Sequence, residues 1–137
     1  LVKGKWRHGE IEVDVPLARG QTTTRAKVKV SPEGKVARTC FRVVEHFGAL
    51  ATLMEVSILT GRTHQIRVHA AHMGHPVAGD EQYGDEQFNN VLIEKGLHRL
   101  FLHAQALEFV WPDSEESFAV SAPIPKELGA VLSVLQD

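Results

Sequence analysis

Residues 36–74, VARTCFRVVEHFGALATLMEVSILTGRTHQIRVHAAHMG, change periodicity partway along, and that change decides the fold. Residues 36–46 and 49–58 are rich in Val, Phe, Thr and Ile and are split near Gly48. Branched and aromatic side chains suit a pleated, half-buried backbone, so the two runs predict a β-hairpin. Beyond residue 60 the spacing becomes helical: Ile66, Ala70 and Met73 recur at i, i+4 and i+7. Thr63 is the expected N-cap and Gly74 the expected stop. Val68 and Ala71 occupy the opposite side. A short helix that is apolar on two sides belongs inside a domain. Arg67 lies about 100° round from Ile66, between the two apolar sides.

The flanks extend this pattern. Ile11, Val13 and Val15 alternate with Glu10, Glu12 and Asp14, which predicts a short edge strand. Ala26, Val28 and Val30 alternate with Arg25, Lys27 and Lys29, a second strand, and Ser31-Pro32-Glu33-Gly34 is a turn by its chemistry. Residues 86–95 predict another short helix. Residues 99–111 predict a long strand with Leu100, Leu102, Ala104 and Ala106 on one side. Pro112-Asp113-Ser114 turns it, and Ser117 to Ala122 returns. The end is an amphipathic helix with Pro125 near its first turn and Leu128, Val131, Leu132 and Leu135 as its stripe. The expected class is α+β: a mixed, largely antiparallel sheet with a few short helices, forming one domain or part of one.

Composition narrows the functional classes. The chain has 137 residues, 43% hydrophobic and 23% charged, with a net charge of -2. That is enough for a core, and it excludes a basic nucleic-acid arm; any anion site must be a local patch. Cys40 is the single cysteine, so no internal disulfide can form, which favours a reducing, cytoplasmic setting. No apolar run approaches the roughly 20 residues of a membrane helix. The chain opens on Leu1 and its first residues read as mid-chain sequence, so a fragment of a longer protein is expected.

Residues 59–76 hold two arginines and four histidines and no Asp or Glu. His64, His69, His72 and His75 are spaced H-x4-H-x2-H-x2-H, but on a helix His64 and His69 stand about 140° apart. Neither HExxH nor a Cys pair accompanies them, so they are expected to line a polar pocket and not a metal. Cys40, within RTCFRVV, is expected to pack as a small hydrophobe. Ser57 and Ser121 lack a G-x-S-x-G context. Asp80 and Asp85, within GDEQYGD, read as turn-capping or solvated acids. Arg62 precedes the helix start, where it is either an anion clamp or a plain surface arginine. Arg67 is more demanding. An unpaired buried guanidinium costs about 3–5 kcal/mol, and no acid stands at helical spacing from it. Its partner must come from a distant segment or from outside the chain.

GRTHQIRVHAAHMGHPVAGDEQYGD, followed downstream by HRLFLHA, resembles the C-terminal half of the catalytic domain of pseudouridine synthases in the large-subunit ribosomal RNA family. The opening KGKW and the RLFLHA variant are most similar to its type-C members. The resemblance covers most of the chain. It implies a mixed, largely antiparallel sheet with an RNA-binding cleft, and isomerisation of uridine to its C5-glycoside with no cofactor and no metal. The implied partner is large-subunit ribosomal RNA, with no membrane; the implied full-length protein is a monomer. In such enzymes an aspartate attacks the flipped uridine, the base turns, and it rejoins the sugar through carbon 5. The resemblance makes Arg67 the arginine that pairs with that aspartate. It sets Leu100 against the flipped base, Arg62, His64 and Gln65 at the pocket's edge, and His103 as an RNA contact.

Physical chemistry agrees with these implied roles. A stacked base must be extruded before chemistry can reach it, and a guanidinium keeps an adjacent carboxylate ionised and nucleophilic. Local cations hold phosphate with salt-dependent affinity. One departure stands out. The family's aspartate sits in a motif reading roughly HRLD, then TSG, and here His98-Arg99-Leu100 is followed by Phe101. The tyrosine-bearing motif that follows the aspartate is missing too. The expectation is therefore a downstream half whose Arg67 faces an acid encoded before Leu1, and which is inactive alone. Two alternatives stay open: a non-catalytic RNA-binding module that kept the cleft, and a β-rich interaction domain unrelated to RNA.

Overall fold

The computed structural model describes residues 1–19, 27–110 and 116–136. The hairpin read from residues 36–58 is its centre. Strands β5 (Arg38–Phe47) and β6 (Ala51–Ile58) pair antiparallel, with Gly48 at φ 57° in the turn and a bulge between Val43 and Glu45. β1 (Val2–Lys3) adds to β6, and β2 (Ile11–Asp14) adds to β5, giving the order β1-β6-β5-β2. β3 (Leu17–Arg19) and β4 (Val28–Val30) form a second antiparallel pair. Arg25 and Ala26, read as the start of that strand, lie outside the described residues. The predicted turn at 31–34 closes with Gly34 N–H donating to the Ser31 carbonyl, 2.9 Å. A side chain at Gly34 would meet the Leu17 carbonyl at 2.5 Å, so only glycine lets this turn lie against β3.

Three helices pack on this frame: α1 (Gln65–His72), α2 (Glu86–Glu94) and α3 (Lys126–Gln136). The two apolar sides of α1 enter different cores. Ala70 and the half-buried Met73 join Val2, Trp6, Val13, Phe41 and Val77 over the sheet, whereas Val68 joins Leu17, Val28 and Ala37 under the β3–β4 pair. Gly74, at φ 85°, ends α1 in a Schellman motif, with Gly74 N–H on Ala71 and His75 N–H on Ala70. Gly96 does the same for α2, where Leu97 N–H reaches the Leu92 carbonyl and both side chains are buried. Phe88 and Leu92 of α2 and Leu128 and Val131 of α3 share a third core with Phe47, Ala51 and Phe101. Each such fully buried large side chain is worth about 1.5–3 kcal/mol.

Two expectations are corrected. The N-cap of α1 is His64, not Thr63, because the Thr63 hydroxyl is turned to accept from Arg19 Nη2, 3.2 Å. The long strand over 99–111 shrinks to β7 (Ala106–Val110), paired with β8 (Ser117–Ser121). Residues 99–105 do not alternate: Leu100 packs toward the sheet core and the next residue, Phe101, into the third core. The chain there wraps the Gly79 backbone, with Phe101 N–H donating to the Ala78 carbonyl, 2.9 Å. The turn read at Pro112-Asp113-Ser114 lies outside the described residues. Every strand pair among the described residues is antiparallel.

Candidate active site

The loop before α1 is held by a single amide. Gln65 is buried; its Oε1 accepts from Thr60 Oγ1 (2.7 Å) and Arg62 N–H (3.0 Å), and its Nε2 donates to the Arg38 carbonyl and Thr39 Oγ1, both 2.9 Å. These four bonds use the amide's full capacity. Gln65 therefore shapes the loop from inside and does not stand at a pocket's edge, as its place in the motif suggests. The network continues inward. His69, also buried, turns Nε2 to the Val15 carbonyl at 2.8 Å and Nδ1 to Thr39 Oγ1 at 2.7 Å. A carbonyl only accepts, so Nε2 carries the proton and Nδ1 accepts from the hydroxyl. Burial, with a smaller push from His72, holds the His69 pKa below its ordinary value against the opposing pull of the Val15 carbonyl.

Arg67 leaves α1 between the two cores and meets the loop after it. Its Nε donates to Asp80 Oδ2 and its Nη2 to Asp80 Oδ1, each at 2.9 Å, and Nη2 also reaches Gln82 Oε1 at 3.1 Å. The carboxylate that the buried arginine requires is thus within the chain. This corrects the expectation that the acid facing Arg67 is encoded before Leu1. Helical spacing could not find Asp80, because it lies 13 residues on and returns through a loop in which Gly79 takes φ 79°. The turn-capping role read for Asp80 also holds: Oδ1 accepts from Gln82 and Tyr83 N–H at 3.0 and 3.1 Å. The Asp80 side chain is fully buried and the Arg67 side chain 16% exposed. Burial pushes the Asp80 carboxyl up, but the bonds from Arg67, Tyr83 and Gln82 outweigh it and hold its pKa below the ordinary value. Among the described residues nothing accepts from Arg67 Nη1.

Tyr83 is the hub that the sequence reading passed over. Its ring lies under Arg67, with Cζ 5.2 Å from the centroid. Its hydroxyl accepts from Val28 N–H (2.9 Å) and sits 2.8 Å from His64 Nδ1. The hydroxyl proton then goes to Nδ1. Burial and the Arg67 charge, with a lesser contribution from Arg19, lower the His64 pKa against the pull of Asp80, and favour that neutral ring. His64 itself adopts φ 54° and ψ 22°, the left-handed region, which costs a non-glycine residue about 1–2 kcal/mol. Strain of this kind gathers where a side chain must be aimed. The clue to Tyr83 in the sequence was its position, three residues past Asp80, as the chain's single tyrosine.

The remaining candidates spread around this group. Arg62 is exposed, with Nε anchored on the Val36 carbonyl at 2.9 Å. Leu100 is half-buried against the sheet core, and its Cα would be 3.1 Å from a side chain placed on Gly79, the neighbour of Asp80. A cavity of about 550 Å³ opens beside Asp80, lined also by Gly79, Glu81, Asn89, His98 and Arg99. His103 donates through Nε2 to the Ala122 carbonyl at 2.9 Å, at the end of β8, and not to the Arg67 group. Asp85 caps α2 through Phe88 N–H and pairs with Lys3, both at 2.8 Å. His75 points elsewhere: it donates to the Lys3 carbonyl at 2.8 Å and packs at a 45° tilt against Trp6.

Comparison with known proteins gives this arrangement relatives. The model of the RNA pseudouridylate synthase family matches residues 6–72, which include Arg62, His64, Gln65 and Arg67. The "Ribosomal large subunit pseudouridine synthase C" of Escherichia coli (strain K12) is 44% identical over 140 residues, covering 100% of this chain and 44% of that protein. That of Vibrio vulnificus (strain CMCP6) is 41% identical, covering 99% of this chain and 42% of its own length. The chain thus spans less than half the length of these curated relatives. Among solved structures, Human RNA Pseudouridylate Synthase Domain Containing 1 superposes with a TM-score of 0.76 at 30% identity, over 95% of this chain and 55% of that one. Human RNA Pseudouridylate Synthase Domain Containing 4 gives 0.74 at 23% identity, a likeness of fold alone. A shared fold, a family model matching residues 6–72 and 41–44% identity across nearly the whole of this chain lead to one conclusion: the chain is similar in both sequence and fold to the RNA pseudouridylate synthase family.

Proposed function

We propose that the 137 residues form the C-terminal portion of a catalytic domain that isomerises uridines of large-subunit ribosomal RNA to pseudouridine. The observation that carries this reading is Arg67 Nη1, which has no acceptor among the described residues. Asp80 and Gln82 consume Nε and Nη2, so the guanidinium is fixed with one amino group left to face a second acid. That acid is the nucleophilic aspartate of the family's HRLD motif, which this sequence does not contain. One bond from Nη1 keeps the carboxylate ionised and leaves its other oxygen to attack. The net change balances without a cofactor: the bond from C1′ to N1 breaks, a bond from C1′ to C5 forms, C5 loses a proton and N1 gains one. Leu100 walls the flipped base, and Arg62 and His64 flank its entrance. Asp80 is buried and engaged on both oxygens, so it does not serve as the nucleophile. A cytoplasmic setting and a monomeric full-length enzyme complete the reading; no helix among the described residues is long and apolar enough to cross a membrane.

Tritium release from [5-³H]uridine-labelled large-subunit rRNA tests it. The chain alone releases none. Fusion to the residues that precede the matching region in the Escherichia coli relative restores release, and Arg67→Ala in the fusion abolishes it. Robust turnover by the chain alone refutes the divided site. Binding without turnover in the fusion favours the non-catalytic RNA module.

A further inference from the structure

A second concavity, of about 580 Å³, lies at the other end of the loop that precedes α1. Its lining includes Arg19, Lys35, Arg62 and Thr63, with Glu33 as its single acid among the described residues. Three separate segments bring the cations together. Arg19 ends β3, Lys35 pairs by an isolated bridge with Leu17 of the same strand, and Arg62 precedes α1. Each guanidinium is fixed by one bond to the wall: Arg19 Nη2 to Thr63 Oγ1 at 3.2 Å, and Arg62 Nε to the Val36 carbonyl at 2.9 Å. Their other N–H groups take no partner among the described residues. Arg38, Arg42, Arg67, Arg99 and Lys3 all have carboxylate partners, whereas Arg19, Lys35 and Arg62 form no ion pair among the described residues. On a chain of net charge -2, three like charges gathered in one concavity repel unless an anion joins them, and the concave shape focuses their field.

We propose that this concavity binds the phosphodiester backbone of RNA, on nucleotides next to the one presented to Arg67. The link between the two sites is short. Thr63 adjoins His64, whose ring meets the Tyr83 hydroxyl under Arg67, and Arg62 stands two residues before His64. A strand crossing the start of α1 therefore lays its neighbouring phosphates on Arg19 and Lys35. The inference rests on the RNA-modifying reading, but it can fail separately.

The test is a salt titration of binding between this chain and a short fluorescein-labelled oligoribonucleotide, followed by anisotropy. Arg19→Gln with Lys35→Gln keeps a donor for Thr63 and removes two charges. The double variant should weaken binding about tenfold and make the log–log salt slope shallower by about 1.4, the value for two single-strand phosphates. Lys95→Gln with Lys126→Gln, on positions outside the lining, is the control and should leave both unchanged. A methylphosphonate oligonucleotide of the same sequence should bind the parent and the double variant equally, because it carries no backbone charge. Unchanged affinity and slope in the double variant, with the same circular dichroism, overturn the site. So does an equal loss in the lysine control, or binding of polyglutamate with the same dependence on Arg19 and Lys35. Should Arg19 and Lys35 matter while the fused enzyme releases no tritium, the phosphate site stands and the isomerase reading falls. Tritium release from a fusion insensitive to Arg19→Gln and Lys35→Gln is the converse.

Discussion

Asp80 grips Arg67 side-on, Oδ2 on Nε and Oδ1 on Nη2, both at 2.9 Å. The acid is wholly out of water and the base nearly so. Removing one member leaves the other desolvated and unpaired, so Asp80→Ala should cost about 3–5 kcal/mol of unfolding free energy in urea. Arg67→Met should cost a similar amount. The double substitution Arg67→Met with Asp80→Leu should cost far less than the sum, because no stranded charge remains. Additive losses of under about 1 kcal/mol each would show that the pair is loose in solution.

Acid should unfold the chain in two stages. His69 is held below its ordinary 6.5 by burial and by His72. The folded state resists a proton that the unfolded state accepts, so stability is complete above pH 6.5 and falls as pH drops toward the depressed value. His64 shifts in the same direction, through burial and Arg67. Asp80 lies below its ordinary 3.8. Its contribution is complete above 3.8 and is lost as pH falls through its lower folded value. Urea midpoints measured across pH should show both declines. His69→Gln should shrink the upper one and Asp80→Asn should shrink the lower one. A flat profile between pH 7 and 5 would contradict the buried neutral His69.

Much of this was legible in the sequence, for identifiable reasons. The β5–β6 hairpin and the helices announced themselves by period, and the two apolar sides of α1 entered two cores because burial is what those residues require. Arg67 was legible as a cation in need of an acid, since that follows from its apolar neighbours. The identity of the acid was not, because Asp80 reaches it through a positive-φ loop and periodicity carries no loop geometry. Gln65 was misplaced for a related reason: a polar residue in a motif looks accessible until its four bonds are traced inward. The segment 99–105 was misread because consecutive apolar residues can face two cores as easily as alternate along one strand.

Gly79 should be the least replaceable glycine near the site. A Cβ there would lie 2.2 Å from the Arg99 carbonyl oxygen, at φ 79°, and both neighbours are backbone that cannot swing aside. Gly79→Ala should lose well over about 1 kcal/mol and release the 99–101 segment that sets Leu100. Gly61, with open space around it, is the comparison: Gly61→Ala should stay within about 0.5 kcal/mol of the parent. Thermal melts of the two variants decide the matter. Similar melting temperatures would mean that the 99–101 segment does not press on Gly79.

Tyr83→Phe isolates the hydroxyl from the ring. The ring keeps its place under Arg67, but Val28 N–H and His64 Nδ1 lose their shared partner. Two hydrogen bonds at about 1 kcal/mol each set the scale, with some recovery by water at this half-buried site. The sharper readout is local. Amide exchange at Val28 should accelerate while exchange at Phe41, in the centre of β5, stays as slow as in the parent. Nitrogen shifts of the His64 ring should also change, since its Nδ1 no longer accepts a proton and the left-handed backbone there loses one of its restraints. Unaltered Val28 exchange would show that β4 is held to α1 by the apolar contact of Val28 with Val68 alone, and that Tyr83 serves the arginine and not the hairpin.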